Sequence, residues 1–342
     1  MKTLNLSFLL ILLILSVACD ETRYGGGGGG YKYNTGSLPE TPVNLEDFNT
    51  EYDDYNSTAP TLGYLIPFCF STNRNSQGND FDVIYQPMNV NFDKTTGELI
   101  VSNEYSNWGI YKEEYNIIEM GVDKIKSVGN EFGPNLIITR DFNDTYFSLL
   151  YASDVSGDFQ INFISNLSEA NFTDPKEVSF LNSEFDDLYP CFNSDNTKIF
   201  FCSNREEDNF DFYSVNVDSD MDLETLLSDD TLHEVNKEEA LSSTADDKCP
   251  FIFGNKMVFA SNREGGFGGY DLYYCNYENG KWSQPINFGE GINSEFDEYR
   301  PILIDEGVSY TQTMMVFSSN RTGGKGGFDL YFVGIDYEHT YW

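Results

Sequence analysis

Four arginine–aspartate pairs recur along this chain of 342 residues, each set in the same short phrase. Ser71-Thr72-Asn73-Arg74 leads to Asp82, and Ser203-Asn204-Arg205 leads to Asp211. Ser261-Asn262-Arg263 leads to Asp271, and Ser319-Asn320-Arg321 to Asp329. A fifth, degraded copy has Val155 for the arginine and Gln160 for the aspartate. Both charges are kept together or lost together. An ion pair behaves that way, because one half-buried partner left alone costs about 3–5 kcal/mol, whereas losing both is nearly neutral. A catalytic group is not needed four times over, so the pairs are expected to be structural clamps across a loop.

A second acidic set lies in the connectors: Glu51 and Asp54, Asp187, Asp247, and Glu298. If these carboxylates converge at one mouth of a channel, they satisfy the arginines and loop amides. Otherwise they offer a hard cation such as Ca²⁺ the several oxygens it requires. No other metal site is expected, although Asp218, Asp220 and Asp222 alternate like a calcium loop without its glycine. Only two histidines are present, His233 and His339, so a Ser-His-Asp triad or a histidine-rich metal site is poorly supplied. The glycine runs 265–269 and 323–327 join two strands and not a strand to a helix, which excludes a phosphate-cradling loop.

The elements carrying these residues repeat every fifty to eighty positions. Each unit has an apolar run before the Ser-Asn-Arg, such as Lys198-Ile199-Phe200-Phe201-Cys202, and a second after the loop, such as Asp271-Leu272-Tyr273-Tyr274-Cys275. Runs this short, rich in Phe, Tyr, Val and Ile and bounded by turn residues, are strands. A shorter strand opening at a proline precedes them, and an outer edge strand follows at Trp282–Phe288 in blade four. Four antiparallel strands at this period make a propeller blade. Pro60, Pro134, Pro190, Pro250 and Pro301 count five blades. An insertion, or a sixth blade as the alternative, falls around Gly97–Lys126. The last unit lacks an outer strand, and Pro42-Val43-Asn44-Leu45 is expected to supply it and cover an open edge. The segment after it, Asn49–Asp54, echoes Asn182–Asp187 and Asn293–Glu298.

Ahead of the ring, Lys2, the apolar run Phe8–Ile14 and Ser16-Val17-Ala18-Cys19 form a secretory leader, too short to span a bilayer stably. Residues 1–19 are assigned to this signal and residues 20–40, with six glycines at 25–30, to a flexible tether. Residues 41–342 are assigned to a single propeller domain. Loss of Lys2 with the leader leaves 19 basic and 56 acidic residues, a net of −37. That balance excludes nucleic acid and anionic membrane surfaces as partners. Of the five remaining cysteines, Cys191 and Cys202 fall on neighbouring strands, where either a disulfide or two buried thiols fits.

The Ser-Asn-Arg turn, glycine loop and Asp-Leu-Tyr strand resemble the WD-like propeller repeat of the TolB type, as in Bacteroidetes envelope proteins with OmpA-like domains. The ending Ser16-Val17-Ala18-Cys19 resembles a bacterial lipoprotein signal with Cys19 as the lipidated residue. The resemblance covers residues 41–342 and is weakest in the second blade; an OmpA-like domain is missing. It implies a monomeric, non-enzymatic binding scaffold without cofactor, lipid-anchored at the outer membrane and meeting an envelope or extracellular protein, or a glycan. The membrane is touched only through the anchor. The runner-up is a propeller glycoside hydrolase or glycan-binding protein with carboxylates at the channel mouth. Replacing Cys19 with Ala is expected to move the protein from the membrane to the soluble fraction; retention in the membrane would put the anchor elsewhere.

Overall fold

A computed structural model describes residues 31–342 except 61–65, 105–108, 142–143, 169–170, 207–208, 305–309 and 337–342. The leader, Cys19, the glycine run of the tether and His339 lie outside the described residues.

The chain is an all-β, five-bladed propeller. The inner strands are Asp54–Thr58, Glu131–Asp141, Asp187–Phe192, Asp247–Phe253 and Glu298–Ile304, and each pairs antiparallel with the second strand of its own blade. Four blades have an outer strand, and blade one has three strands followed by a separate hairpin, Asn89–Phe92 with Leu99–Ser102. The stretch flagged as insertion or sixth blade holds that hairpin's second strand and a helix, Gly109–Ile125. Ile118, Val122 and Ile125 are buried at helical spacing and pack with Leu136, Phe147 and Leu149 of blade two. The ring therefore keeps five blades.

Each inner strand carries a β-bulge at its centre, with register shifts at Tyr55/Ser57, Phe132/Asn135, Leu188/Cys191, Lys248/Phe251 and Tyr299/Ile302. The bulged residues Asn56, Gly133, Tyr189, Cys249 and Arg300 all take positive φ. Pro134, Pro190, Pro250 and Pro301 follow the bulge directly, where no ladder hydrogen bond is asked of them. They lie inside the inner strands and not at their starts, three residues after an acid. Pro60 has no such place: blade one has Ser57 there, and Pro60 follows the strand.

Closure is as the sequence implies. Val43 and Asn44 pair with Phe332 and Tyr331 of the third strand of blade five. Asn49 then copies a strand with its side chain, accepting from the Leu330 N–H at 2.8 Å and donating to the Leu330 carbonyl at 2.9 Å. Asn182 does the same to Ile161, and Asn293 to Leu272. This is why the three segments echo one another. The tether is shorter than expected, since Leu38 is buried, its N–H bonds Gln312, and Gly36 bridges Tyr310. All five described cysteines are free and buried, so of the two alternatives for Cys191 and Cys202 it is the buried thiols that the structure shows. The bulge sets Cys202 opposite Leu188 and Cys191 opposite Phe200, so the two thiols are not cross-strand partners.

Phe48 fixes the closing segment: it is 1% exposed and packs edge-on against Phe68, 5.5 Å between ring centroids. Phe48→Ala is expected to cost about 3–5 kcal/mol in a denaturant melt. A loss under about 1 kcal/mol would mean that the closing strand contributes little.

Candidate functional site

Three strands put one row of polar side chains across each blade. Asp187, Ser203 and Asp211 are cross-strand partners in blade three, as are Asp247, Ser261 and Asp271 in blade four. Arg205 and Arg263 follow their serines by two residues and so stand between two carboxylates. They bond the inner one. Arg205 Nη2 reaches Asp187 at 2.5 Å, Arg321 reaches Glu298 at 2.8 Å, and Arg74 and Arg263 pair with Asp54 and Asp247. The clamp therefore joins different partners from those expected: Asp82, Asp211, Asp271 and Asp329 do not hold the arginines. Asp271 accepts the Phe267 and Gly268 N–H groups, Asp329 those of Lys325 and Gly326, and Asp211 pairs with Lys237 at 2.7 Å. Asp82 accepts from Asn75 at the long distance of 3.4 Å.

Each arginine also donates to a carbonyl two residues ahead of the connector Ser or Thr: Phe48, Leu181, Leu241 or Ile292. Its plane lies about 5 Å from one or two aromatic rings, such as Phe259 and Tyr273 for Arg263. The second carboxylate oxygen takes the connector amide, Ser183 N for Asp187 and Thr50 N for Asp54. Asp54, Asp187, Asp247 and Glu298 are thus 0% exposed and turned into their own blades. The acidic ring does not form, because four of its five members neutralise arginines; Glu51 is exposed. Among the described residues no three His, Cys, Asp or Glu side chains come together as metal ligands. Asp222 instead caps the short helix Leu223–Leu227.

Blade two keeps the acid but not the arginine. Glu131 is 0% exposed, accepts from Ser127 Oγ at 2.5 Å and Ser153 Oγ at 3.3 Å, and its other oxygen has no hydrogen-bond partner. Burial pushes its carboxyl up to about 7, with the Asp82 charge adding to the rise and the serine hydrogen bonds opposing it. The acid three residues before a proline was visible as Glu131-Phe132-Gly133-Pro134, parallel to Asp187–Pro190. Set beside Val155, it marks the one inner acid without its cation.

The axis of the ring is closed at mid-depth and open at one end. Tyr55, Tyr189 and Tyr299 fill the middle, with Tyr55 stacked on Tyr299 at 5.3 Å. Where the inner strands end, a cavity of about 530 Å³ opens, lined from all five blades by Pro60, Asn135, Arg140, Phe192, Phe251 and Leu303 among others. Phe253 adds a third ring, and no described lining residue is a carboxylate. Arg300 is sequestered in the channel: 0% exposed, it donates to the Pro250 and Pro134 carbonyls at 3.3 and 3.1 Å, and Nε has no partner. The sequence signal was an arginine where the other bulges have Asn, Gly, Tyr and Cys.

No protein-family model and no curated protein matches the chain. Solved propellers do. An α-L-arabinofuranosidase from Podospora anserina, in complex with cellotriose, is 10% identical over 88% of this chain and 97% of its own, with a TM-score of 0.47. A GH62 α-L-arabinofuranosidase catalytic domain from Coprinopsis cinerea is 12% identical over 88% and 96%, TM-score 0.45. One from Lactobacillus brevis is 9% identical over 86% and 95%, TM-score 0.46. The expectation of a non-enzymatic TolB-type scaffold is corrected here, since these neighbours are glycoside hydrolases. At such identity the likeness is one of fold, so the function is argued from the cavity and the carboxyls.

Two measurements test the clamps. In a double-mutant cycle, Arg205 is expected to couple to Asp187 by about 1 kcal/mol or more and to Asp211 by nearly none; the reverse would restore the pairing expected from sequence. For Glu131, the unfolded chain loses its proton near 4.5 and the folded protein near 7. Between those values the folded state holds the extra proton, so stability falls as pH rises through the window. Glu131→Gln is expected to flatten that fall, and Val155→Arg to raise the melting temperature above pH 7. An unchanged pH profile in Glu131→Gln would show that this carboxyl titrates normally.

Proposed function

We propose that the protein is a carbohydrate-directed propeller that seats a saccharide in the axial cavity. The observation that carries this reading is the cavity's lining. Phe192, Phe251 and Phe253 are half-buried there and line its wall, beside Asn135 and Arg140. An apolar-walled cleft of several hundred Å³ with a few polar groups suits a small ligand. Aromatic rings stack on the C–H faces of sugars, while amide and guanidinium groups meet hydroxyls. The Asn193 amide is already engaged by Thr197 and Lys198, and Asn135 Nδ2 by the Pro190 carbonyl at 2.9 Å, so the hydroxyls are met by the Asn135 side-chain oxygen and by Arg140.

A second reading, hydrolysis, has no described carboxylate at the cavity to serve it. Glu131, raised to about 7 by burial, is fully buried and begins its strand on the far side of the bulge from the lining residues, so it would act only on a substrate that reaches that end of the channel. The proposal keeps the ring at the bacterial outer membrane, lipid-anchored through Cys19.

Calorimetric titration of the purified protein with neutral and acidic oligosaccharides, with reducing ends assayed in the same samples, tests both readings. Binding is expected to weaken roughly tenfold in Phe192→Ala and in Phe251→Ala, the loss of one stacked ring each. No heat from any saccharide would remove the proposal. Release of reducing ends that Glu131→Gln abolishes while binding persists would establish the hydrolytic reading; no release removes it.

A further inference from the structure

The protein carries 56 acidic and 20 basic residues, yet the described lining of its axial cavity holds no carboxylate and one arginine, Arg140. A second arginine underlies it. Arg300 bonds the carbonyls of Pro134 and Pro250, and the residues that follow those prolines, Asn135 and Phe251, are cavity wall. Cys191, another wall residue, is buried near it: burial pushes its thiol up to about 12, with the Arg300 charge opposing the rise.

Arg300 differs from the four clamp arginines, Arg74, Arg205, Arg263 and Arg321. Each of those meets a buried carboxylate; among the described residues Arg300 has no ion-pair partner, and its Nε is without any hydrogen bond. Two carbonyls and the Tyr189 ring, 5.5 Å from the guanidinium carbon, do not neutralise a charge taken out of water, and an anion nearby relieves that cost. Its field is also little screened inside the low-dielectric ring. On a chain this acidic, such a spot attracts anions and repels nothing but cations.

Resting on the saccharide reading above, we infer that the cavity takes an acidic saccharide, one bearing a carboxylate or sulfate, with Arg140 contacting the anionic group at the rim and Arg300 holding it by charge from beneath. The aromatic walls receive the sugar ring, and the two arginines select its charge. Arg140 supplies direct hydrogen bonds because it is exposed, and its fork suits a carboxylate.

The test compares trigalacturonate with α-1,4-linked galactotriose, which differ only at C6 of each sugar, carboxylate against hydroxymethyl, and adds inorganic sulfate as a third probe. Trigalacturonate is expected to bind about tenfold or more tightly than galactotriose, as one charged hydrogen-bonded contact implies. Arg140→Gln, at an exposed position, should keep the melting temperature and lose most of that preference. Arg300→Met should lower it too, and if that variant fails to fold, Arg140→Gln still decides. Equal affinity for the two trisaccharides overturns the inference and leaves the saccharide reading standing. Sulfate raising the melting temperature of the parent but not of Arg140→Gln, with no saccharide bound, supports the anion site and removes the saccharide reading. Silence from all three probes removes both.

Discussion

The ring is held by a buried ion pair made between a turn and the start of an inner strand. In blade three, Arg205 bonds Asp187 and the Leu181 carbonyl at once, and so ties the turn after the second strand to the connector entering its own blade. The same connector is locked to the preceding blade by a neighbouring aspartate: Asp186 accepts the Phe159 N–H, as Asp246 accepts that of Phe210 and Asp297 that of Tyr270. Clamp and latch together fix where one blade ends and the next begins. The glycine loops follow from this closeness, since a Cβ on Gly268 would sit 1.9 Å from the Phe296 carbonyl of the next connector, and one on Gly326 equally close to that of Tyr52. Burying these charges costs desolvation, so the pairs contribute uniqueness of register more than net stability.

Blade two shows what the architecture tolerates. Its latch is kept with the roles exchanged: the connector has Asn130 where others have aspartate, the turn has Asp154 where others have asparagine, and Asn130 donates to both Asp154 oxygens at 2.6 and 2.7 Å. The Asn130 side chain still accepts the Phe81 N–H. The clamp is lost there, and its consequence is a single carboxyl without its cation, held by serines and inclined to stay protonated. A neutral Glu131 removes the charge that desolvation penalises, at the expense of making stability depend on pH.

Much of the fold could be read from the chain because repetition exposes it. Blade number, strand order and the closing strand at Val43 all followed from comparing one unit with another. The clamp partners could not be read the same way. Asp187 and Asp211 lie on either side of Ser203 in one row, so sequence spacing favours the nearer in chain order, while the glycine-loop amides claim Asp211's counterpart Asp271 and leave the inner acid for the arginine. The acidic mouth failed for the same reason: acids that seem to converge when counted along connectors turn away once each has a cation. The cavity was illegible, since its residues come from five blades and no local pattern joins Pro60, Asn135, Phe192, Phe251 and Leu303.

The two ends of the channel then divide the chemistry. At the end where inner strands begin, every blade presents an acid, and four arginines, a set of serine and threonine hydroxyls and backbone amides are needed to keep those acids quiet. Strands that alternate past a bulge bring a different row to the other end, where the repeat imposes no charge. That end is free to vary from blade to blade, and it does: Asn135, Phe192 and Phe251 occupy places that no shared motif dictates. Arg300 belongs with them, since its place in the bulge demands only a positive φ and the other blades meet that demand with Asn, Gly, Tyr and Cys. A buried cation where the fold asks for none is held by two carbonyls and the Tyr189 ring but meets no counter-charge among the described residues, and an anionic ligand at that end of the axis is what would supply one.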